Sequence, residues 1–187
     1  MDIFVFGTLR SDTLRKIVLG RDMSSDDICR ATIKDFRVYL AKEGPFPVMI
    51  PEPNSETHGL VLRNLSEPDI ERLNYYELGF DYVLAPTSVE THAGQIEVSA
   101  YFCNRSDMAT SKLWSFDDWL SDHSEIQYLA AREFLDFFGT KFGDTAQVMY
   151  NSILKRAEVF VSASSTPTSA LEIGPDMNTN IQVEDLK

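Results

Sequence analysis

Apolar residues first appear as an unbroken run, Ile3-Phe4-Val5-Phe6, which stops at Gly7-Thr8-Leu9-Arg10. So short and continuous a run predicts a buried strand opening into a glycine loop. Leu14, Ile17 and Val18 then recur at i, i+3 and i+4, with Ser11 or Asp12 able to cap a helix and Gly20 able to end it. Partial alternation in Arg37-Val38-Tyr39-Leu40-Ala41 predicts a second strand over residues 29–41. Pro45, Pro47, Pro51 and Pro53 follow, each lacking a backbone donor, and predict a loop with an apolar face. Residues 57–63 return to strand. Ser66-Glu67-Pro68-Asp69 opens a helix with an acidic first turn, whose buried side carries Ile70 and Leu73. Tyr82 to Val89 and Ile96 to Cys103 predict a hairpin joined through His92-Ala93-Gly94.

The pattern changes in the last third. Ile126, Leu129, Ala130, Phe134, Phe137 and Phe138 follow helical spacing from Ser124 to Gly139, and Ala146, Met149, Tyr150, Ile153 and Ala157 do so from Asp144. Beyond Phe160 the chain is rich in Ser, Thr, Asn and Pro and predicts a mobile tail. Five strands and two short helices suit a small mixed barrel over residues 1–108, with a helical appendage at 109–160 and the tail at 161–187. Left exposed, the apolar faces of the appendage would form a sticky patch. They are expected to cover the barrel, form a homo-oligomer or meet a partner.

Composition narrows the function classes. A chain of 187 residues with 43% hydrophobic side chains has material for one folded core. Twenty-nine acidic against 17 basic residues give a formal charge of −12, without a local basic patch, which argues against nucleic acid and anionic lipid as partners. No apolar run approaches the ~20 residues that span a bilayer, and the amino terminus lacks a basic segment followed by an apolar one. Cys29 and Cys103, with no CxxC pair, fit two buried thiols in a reducing compartment, although one disulfide stays open. The expectation is a cytoplasmic protein with no membrane association.

Familiar catalytic signatures are missing: GxxxxGK[ST], GxGxxG and GxSxG do not occur. His58, His92 and His123 are dispersed without metal-ligand spacing, so no metal site is expected. Arg132 to Gly139 superficially matches a Nudix metal-binding helix, but Phe137 stands at one glutamate place and an amphipathic packing helix explains it better. Two segments carry chemistry. Successive amides of Gly7-Thr8-Leu9 can receive a carboxylate. Leu73-Asn74-Tyr75-Tyr76-Glu77-Leu78-Gly79-Phe80-Asp81-Tyr82 sets one carboxylate among four aromatic residues, surroundings that would desolvate Glu77 and raise its pKa. From those ten residues alone, an ordinary surface glutamate beside core aromatics is the plainer reading.

In order, the strand ending in FGTLR, then GPFPVMIP, THGLVLRNL, LNYYELGFDY and a hairpin ending in SAYFCN, the chain resembles the gamma-glutamylcyclotransferase superfamily. It is most similar to the gamma-glutamylamine cyclotransferase-like branch. The resemblance covers residues 2 to about 104. It implies an α+β fold: a small mixed β-barrel of the gamma-glutamylcyclotransferase type with flanking helices and a C-terminal helical appendage. It also implies an enzyme that releases an amine or amino acid from a small gamma-glutamyl compound as 5-oxoproline, with no cofactor. By position, Glu77 would be the catalytic acid/base, Gly7, Thr8 and Leu9 would hold the substrate α-carboxylate, and Phe6, Tyr82 and Tyr101 would face the pocket. Phe6 stands where the family usually has Tyr, Asn74 replaces an Asp, and Leu78 intervenes before Gly79. A barrel of the same fold that binds a small ligand without catalysis is the alternative.

Overall fold

The amino-terminal run forms strand β1 (Ile3–Val5), and all three residues are buried. Phe4, with Phe6 just beyond, packs with Ile33, Met49, Val61 and Ala100 in one cluster, while Ile3 and Val5 pack with Leu14, Val18, Leu62 and Leu73 in another. A strand covered on both faces needs apolar side chains at both parities, which is why no polar residue interrupts it. The computed structural model describes residues 1–77, 82–103, 105–140 and 145–164. Leu78 to Asp81 and residues 165–187, on which parts of the sequence reading fell, lie outside them.

Among the described residues, β1, β2 (Ile28–Ala41), β3 (Pro47–Leu62), β4 (Tyr82–Thr91) and β5 (Gly94–Cys103) close into a five-stranded barrel in the order β3-β1-β5-β4-β2, with β2 returning to β3. The β1–β5 pair is parallel and the others antiparallel, so the barrel is mixed. A sixth strand, β6 (Ala109–Leu113), adds to β2 from outside the ring. Gly59 lets β3 approach β1: a Cβ there would meet the Val5 carbonyl and lie 2.6 Å from the Phe4 ring. With helices α1 (Asp12–Leu19), α2 (Glu67–Glu77), α3 (Phe116–Asp122), α4 (Ser124–Leu135) and α5 (Ala146–Ser164), this is the expected α+β barrel. No described helix is long and apolar enough to cross a membrane.

Of the proline-rich loop expected over residues 43–54, residues 43–46 lie outside any strand, while the rest is instead the first half of β3, with Val38 opposite Met49 and Phe36 opposite Pro51. Pro47, Pro51 and Pro53 share one parity, so their nitrogens face the same edge, and among the described residues no strand other than β2 pairs with this stretch. A proline costs a strand nothing where its missing N–H would have had no ladder partner. The helix expected to reach Gly139 ends at Leu135; Phe137 and Phe138 sit in the following turns at 40% and 39% exposure. Cys29 and Cys103, expected to be buried, are half-buried and free.

Two helices flank the barrel. Ser11 caps α1 by accepting the Leu14 N–H, and Gly20 closes it. The Ser66 hydroxyl and N–H donate to the Asp69 carboxylate, and Arg21 donates to both of its oxygens at 2.8 and 2.7 Å. The Arg21 hydrogen bonds, aided by those from Ser66, hold the Asp69 carboxyl well below the usual carboxylate range and pin the start of α2. Against these, α4 and α5 bring Ala130, Ala131, Phe134, Tyr150 and Ile153, all buried in the cluster that covers β1. The apolar spacing of the carboxy-terminal helices is thus largely used inside the chain.

Phe134 is fully buried and Phe137 is not, so their truncation separates two situations that the sequence makes look alike. Phe134→Ala is expected to cost about 3–5 kcal/mol, and Phe137→Ala, with its ring still partly in water, about 1 kcal/mol or less. Chemical denaturation followed by circular dichroism checks the difference. Equal midpoints would show that α4 is not part of the cooperative core.

Candidate active site

Where β1 ends, Phe6 and Gly7 lead into a single 3-10 turn, Thr8–Arg10, closed by the Arg10 N–H on the Gly7 carbonyl and the Ser11 N–H on the Thr8 carbonyl, each at 3.0 Å. Arg15, buried on α1, reaches back to the carbonyls of Leu9 at 3.0 Å and Arg10 at 2.7 Å. The turn's carbonyls are therefore engaged behind it, while amides in a helix's first turn have no acceptor within the helix. Gly7 is required by its neighbour: a Cβ built on it would lie 2.5 Å from Pro47 Cγ. Arg10 stacks over Phe116, 4.3 Å from the ring centroid, and is not among the residues that border the pocket.

In front of the turn lies a cavity of about 490 Å³, its open mouth included. From α2 come Tyr76 and Glu77, the starts of β3 and β4 supply Pro47 and Tyr82, β5 supplies Tyr101, and Phe46 with the run from Phe4 to Leu9 forms the remaining wall. All seven residues singled out in the sequence border this one space. Tyr101 donates to Asn74 Oδ1 at 2.7 Å, so Asn74 still offers an oxygen acceptor where the resemblance expects Asp. Tyr82 donates to the Pro47 carbonyl. The sequence reading missed Phe4, Val5, Phe46, Pro47 and Tyr76 as wall residues; the FPxxxP segment that carried the resemblance was the available signal for Phe46 and Pro47. Tyr75 turns away from the pocket, stacking on Phe134 with ring centroids 5.1 Å apart.

Glu77 is half-buried by area because it borders the cavity, yet protein surrounds its carboxyl, and that desolvation pushes its pKa up to about 8. Burial raises the Tyr76, Tyr82 and Tyr101 hydroxyls as well, with the nearby Glu77 charge adding to each. Among its described residues the site therefore holds one group able to exchange a proton near neutral pH, walled by neutral phenols that can donate or accept hydrogen bonds. Among the described residues, no three of His, Cys, Asp and Glu come together as a metal site would need.

A carboxyl held at about 8 against an ordinary 4.5 keeps its proton in the folded protein after the unfolded chain has released it. Over that window stability falls as pH rises, and above it the loss is constant. Glu77→Gln is therefore expected to leave the thermal midpoint nearly unchanged at pH 4 and to raise it at pH 8. A midpoint lowered at both pH values would show that the carboxylate is stabilised by its surroundings.

Three comparisons place this geometry among known proteins. Residues 3–121 match the family model described as gamma-glutamyl cyclotransferase, AIG2-like. AIG2-like protein B of Arabidopsis thaliana is 26% identical over 138 residues, covering 72% of this chain and 78% of its own; Protein AIG2 A of the same plant is 24% identical over 173 residues, covering 90% and 94%. An Arabidopsis thaliana protein solved in solution shares the fold at a TM-score of 0.51 and 21% identity, over 74% of this chain and 93% of that one. With the family model spanning well over half of its length, the chain belongs to the gamma-glutamyl cyclotransferase, AIG2-like family.

Proposed function

We propose that this protein is a gamma-glutamyl cyclotransferase-type enzyme that converts a small gamma-glutamyl compound into 5-oxoproline and a free amine or amino acid. One observation carries the reading: Glu77, the one carboxylate among the described residues that line the cavity, is poised by desolvation near pH 8 and shares that aromatic-walled space with the Gly7-Thr8-Leu9 turn. The substrate α-carboxylate would rest on the amides of that turn. Ionised Glu77 would take a proton from the α-ammonium, freeing its nitrogen to attack the γ-carbonyl carbon. As the ring C–N bond forms, Glu77 returns that proton to the leaving nitrogen and the former amide C–N bond breaks; the second proton lost by the ring nitrogen passes to the freed amine, which departs as an ammonium. Atoms and charge balance without a metal, a cofactor or a covalent enzyme intermediate. Holding amine and carbonyl in contact supplies the entropic part of the acceleration, and a positioned base adds roughly 10²–10⁴-fold.

A second reading, a ligand-binding barrel without turnover, is favoured by Phe6, whose buried ring brings no hydroxyl to the wall. Mass spectrometry of 5-oxoproline released from a panel of gamma-glutamyl amines, dipeptides and glutathione separates the two. Turnover of at least one compound is expected, and binding of all without release of any would favour the second reading.

Two further outcomes follow from the protonation of Glu77. Because the base must be ionised, kcat/KM is expected to rise with pH along a single-proton limb near 8; a limb near 4.5 would mean that the group acts in an exposed state. Glu77→Gln is expected to lower kcat by roughly 10²–10⁴-fold while 5-oxoproline still binds. Calorimetric titration checks the binding, and near-native turnover in the variant would remove Glu77 from the mechanism.

A further inference from the structure

Behind the Thr8–Arg10 turn sits a buried guanidinium. Arg15 on α1 is 6% exposed, and its Nη1 donates to the Leu9 carbonyl at 3.0 Å and to the Arg10 carbonyl at 2.7 Å. Its Nη2 donates to Asp12 Oδ1 at 2.9 Å, but that carboxylate side chain is 84% exposed, and Arg15 Nε is buried without a hydrogen-bond partner. A cation withdrawn from water costs free energy unless charges or dipoles around it compensate. Here the compensation inside the protein comes from carbonyls of the turn, while the paired carboxylate stands in solvent.

From those carbonyls, hydrogen bonds continue toward the pocket. The Leu9 carbonyl shares a peptide unit with the Arg10 N–H, which donates to the Gly7 carbonyl at 3.0 Å, and that carbonyl shares a unit with the Thr8 N–H. In the same way the Arg10 carbonyl shares a unit with the Ser11 N–H, which donates to the Thr8 carbonyl at 3.0 Å, and that carbonyl shares a unit with the Leu9 N–H. Two parallel relays therefore start on one guanidinium nitrogen and end on the amides of Thr8 and Leu9, residues that border the cavity. A charge that polarises the first carbonyl makes its peptide N–H a stronger donor, and each hydrogen bond passes part of that polarisation on. Both relays run in the same direction, so each strengthens the N–H that ends it.

Building on the cyclotransferase reading, in which the turn receives the substrate α-carboxylate, we propose that Arg15 is a positioning residue that sets the site's preference for a carboxylate, acting through the peptide relays to Thr8 and Leu9. Arg15 itself does not border the cavity. The α-carboxylate is charged in the bound substrate and in the transition state alike, so Arg15 acts on KM and leaves kcat nearly unchanged. A neutral ligand of the same shape gains little from it.

Paired ligands read this preference: 5-oxoproline, and 5-oxoprolinamide, in which a neutral carboxamide replaces the carboxylate. In Arg15→Met, titration followed by NMR is expected to show 5-oxoproline binding weakened about tenfold, the difference between charge-supported and neutral hydrogen bonds, with the affinity for the amide within about twofold. KM for a turned-over gamma-glutamyl compound should rise by a similar factor with kcat within about twofold. Arg15→Lys keeps the charge and should retain more of the preference than Arg15→Met. Affinities that fall together for both ligands would mean that Arg15 only holds the shape of the turn and would overturn the proposal, as would an unchanged preference or equal losses in the two variants. A second readout needs no ligand: the amide proton resonances of Arg10 and Ser11 should move upfield in Arg15→Met as their bonds to Gly7 and Thr8 weaken, and unmoved resonances would break the relay. If the native protein released no 5-oxoproline and bound neither ligand, the reaction reading would fail together with the carboxylate preference, whereas the resonances would still decide whether Arg15 polarises the turn. Should Arg15→Met not fold, Arg15→Gln, which keeps a donor without the charge, is held to the same outcomes.

Discussion

Three residues buried on both faces cannot be held by a single layer, and β1 is consequently gripped from every side. β3 pairs along one edge and β5 along the other, the barrel interior receives Phe4, and α1 and α2 cover Ile3 and Val5. The approach of β3 is close enough to require Gly59. Without β1 the ring would lose the link between β3 and β5. The chain that leaves β1 must then emerge between the two apolar clusters, where a side-chain-lined cavity can form with the backbone amides of a tight turn at its edge. The pocket is in this sense a consequence of how the barrel closes.

The energetics of α2 are divided along its length. At its start, Asp69 lies where the helix dipole favours a negative charge, and Arg21 and Ser66 hold it ionised. Further along the helix, Glu77 lies where desolvation opposes ionisation. A carboxylate that resists ionisation destabilises the fold near and above neutral pH, yet that same resistance suits it to exchange protons there. Tyr75 and Tyr76, between them, bind the same helix to α4 and α5 through Phe134, Gln127 and Tyr150. The carboxy-terminal helices are therefore packed into the support of the pocket.

Much of the architecture was legible because it is local. Phe4-Val5-Phe6-Gly7 announces a buried strand and its exit turn, and the cap residues Ser11 and Ser66 and the closing Gly20 mark helix ends that lie within a residue of those observed. The hairpin from Tyr82 to Cys103 follows from alternation and a turn signal. The placement of Glu77 among aromatics was visible too, but only the order of several weak segments separated it from an ordinary surface glutamate.

Other features were decided by partners distant in the chain. The prolines of β3 read as a loop because proline lacks a donor, and whether a donor is needed depends on the occupancy of the strand's other edge. Phe134 and Phe137 have equivalent sequence signals, but α4 ends between them, so one is fully buried and the other partly exposed. The proton affinity of Glu77 depends on the protein that surrounds it, contributed by segments from both halves of the barrel. By itself the sequence determined the short-range elements and the order of motifs that suggested the family, because spacing and capping act within a few residues. Tertiary structure alone decided which backbone edges are satisfied, which aromatics meet water and how strongly one carboxyl holds its proton, because each depends on what packs against it from far along the chain.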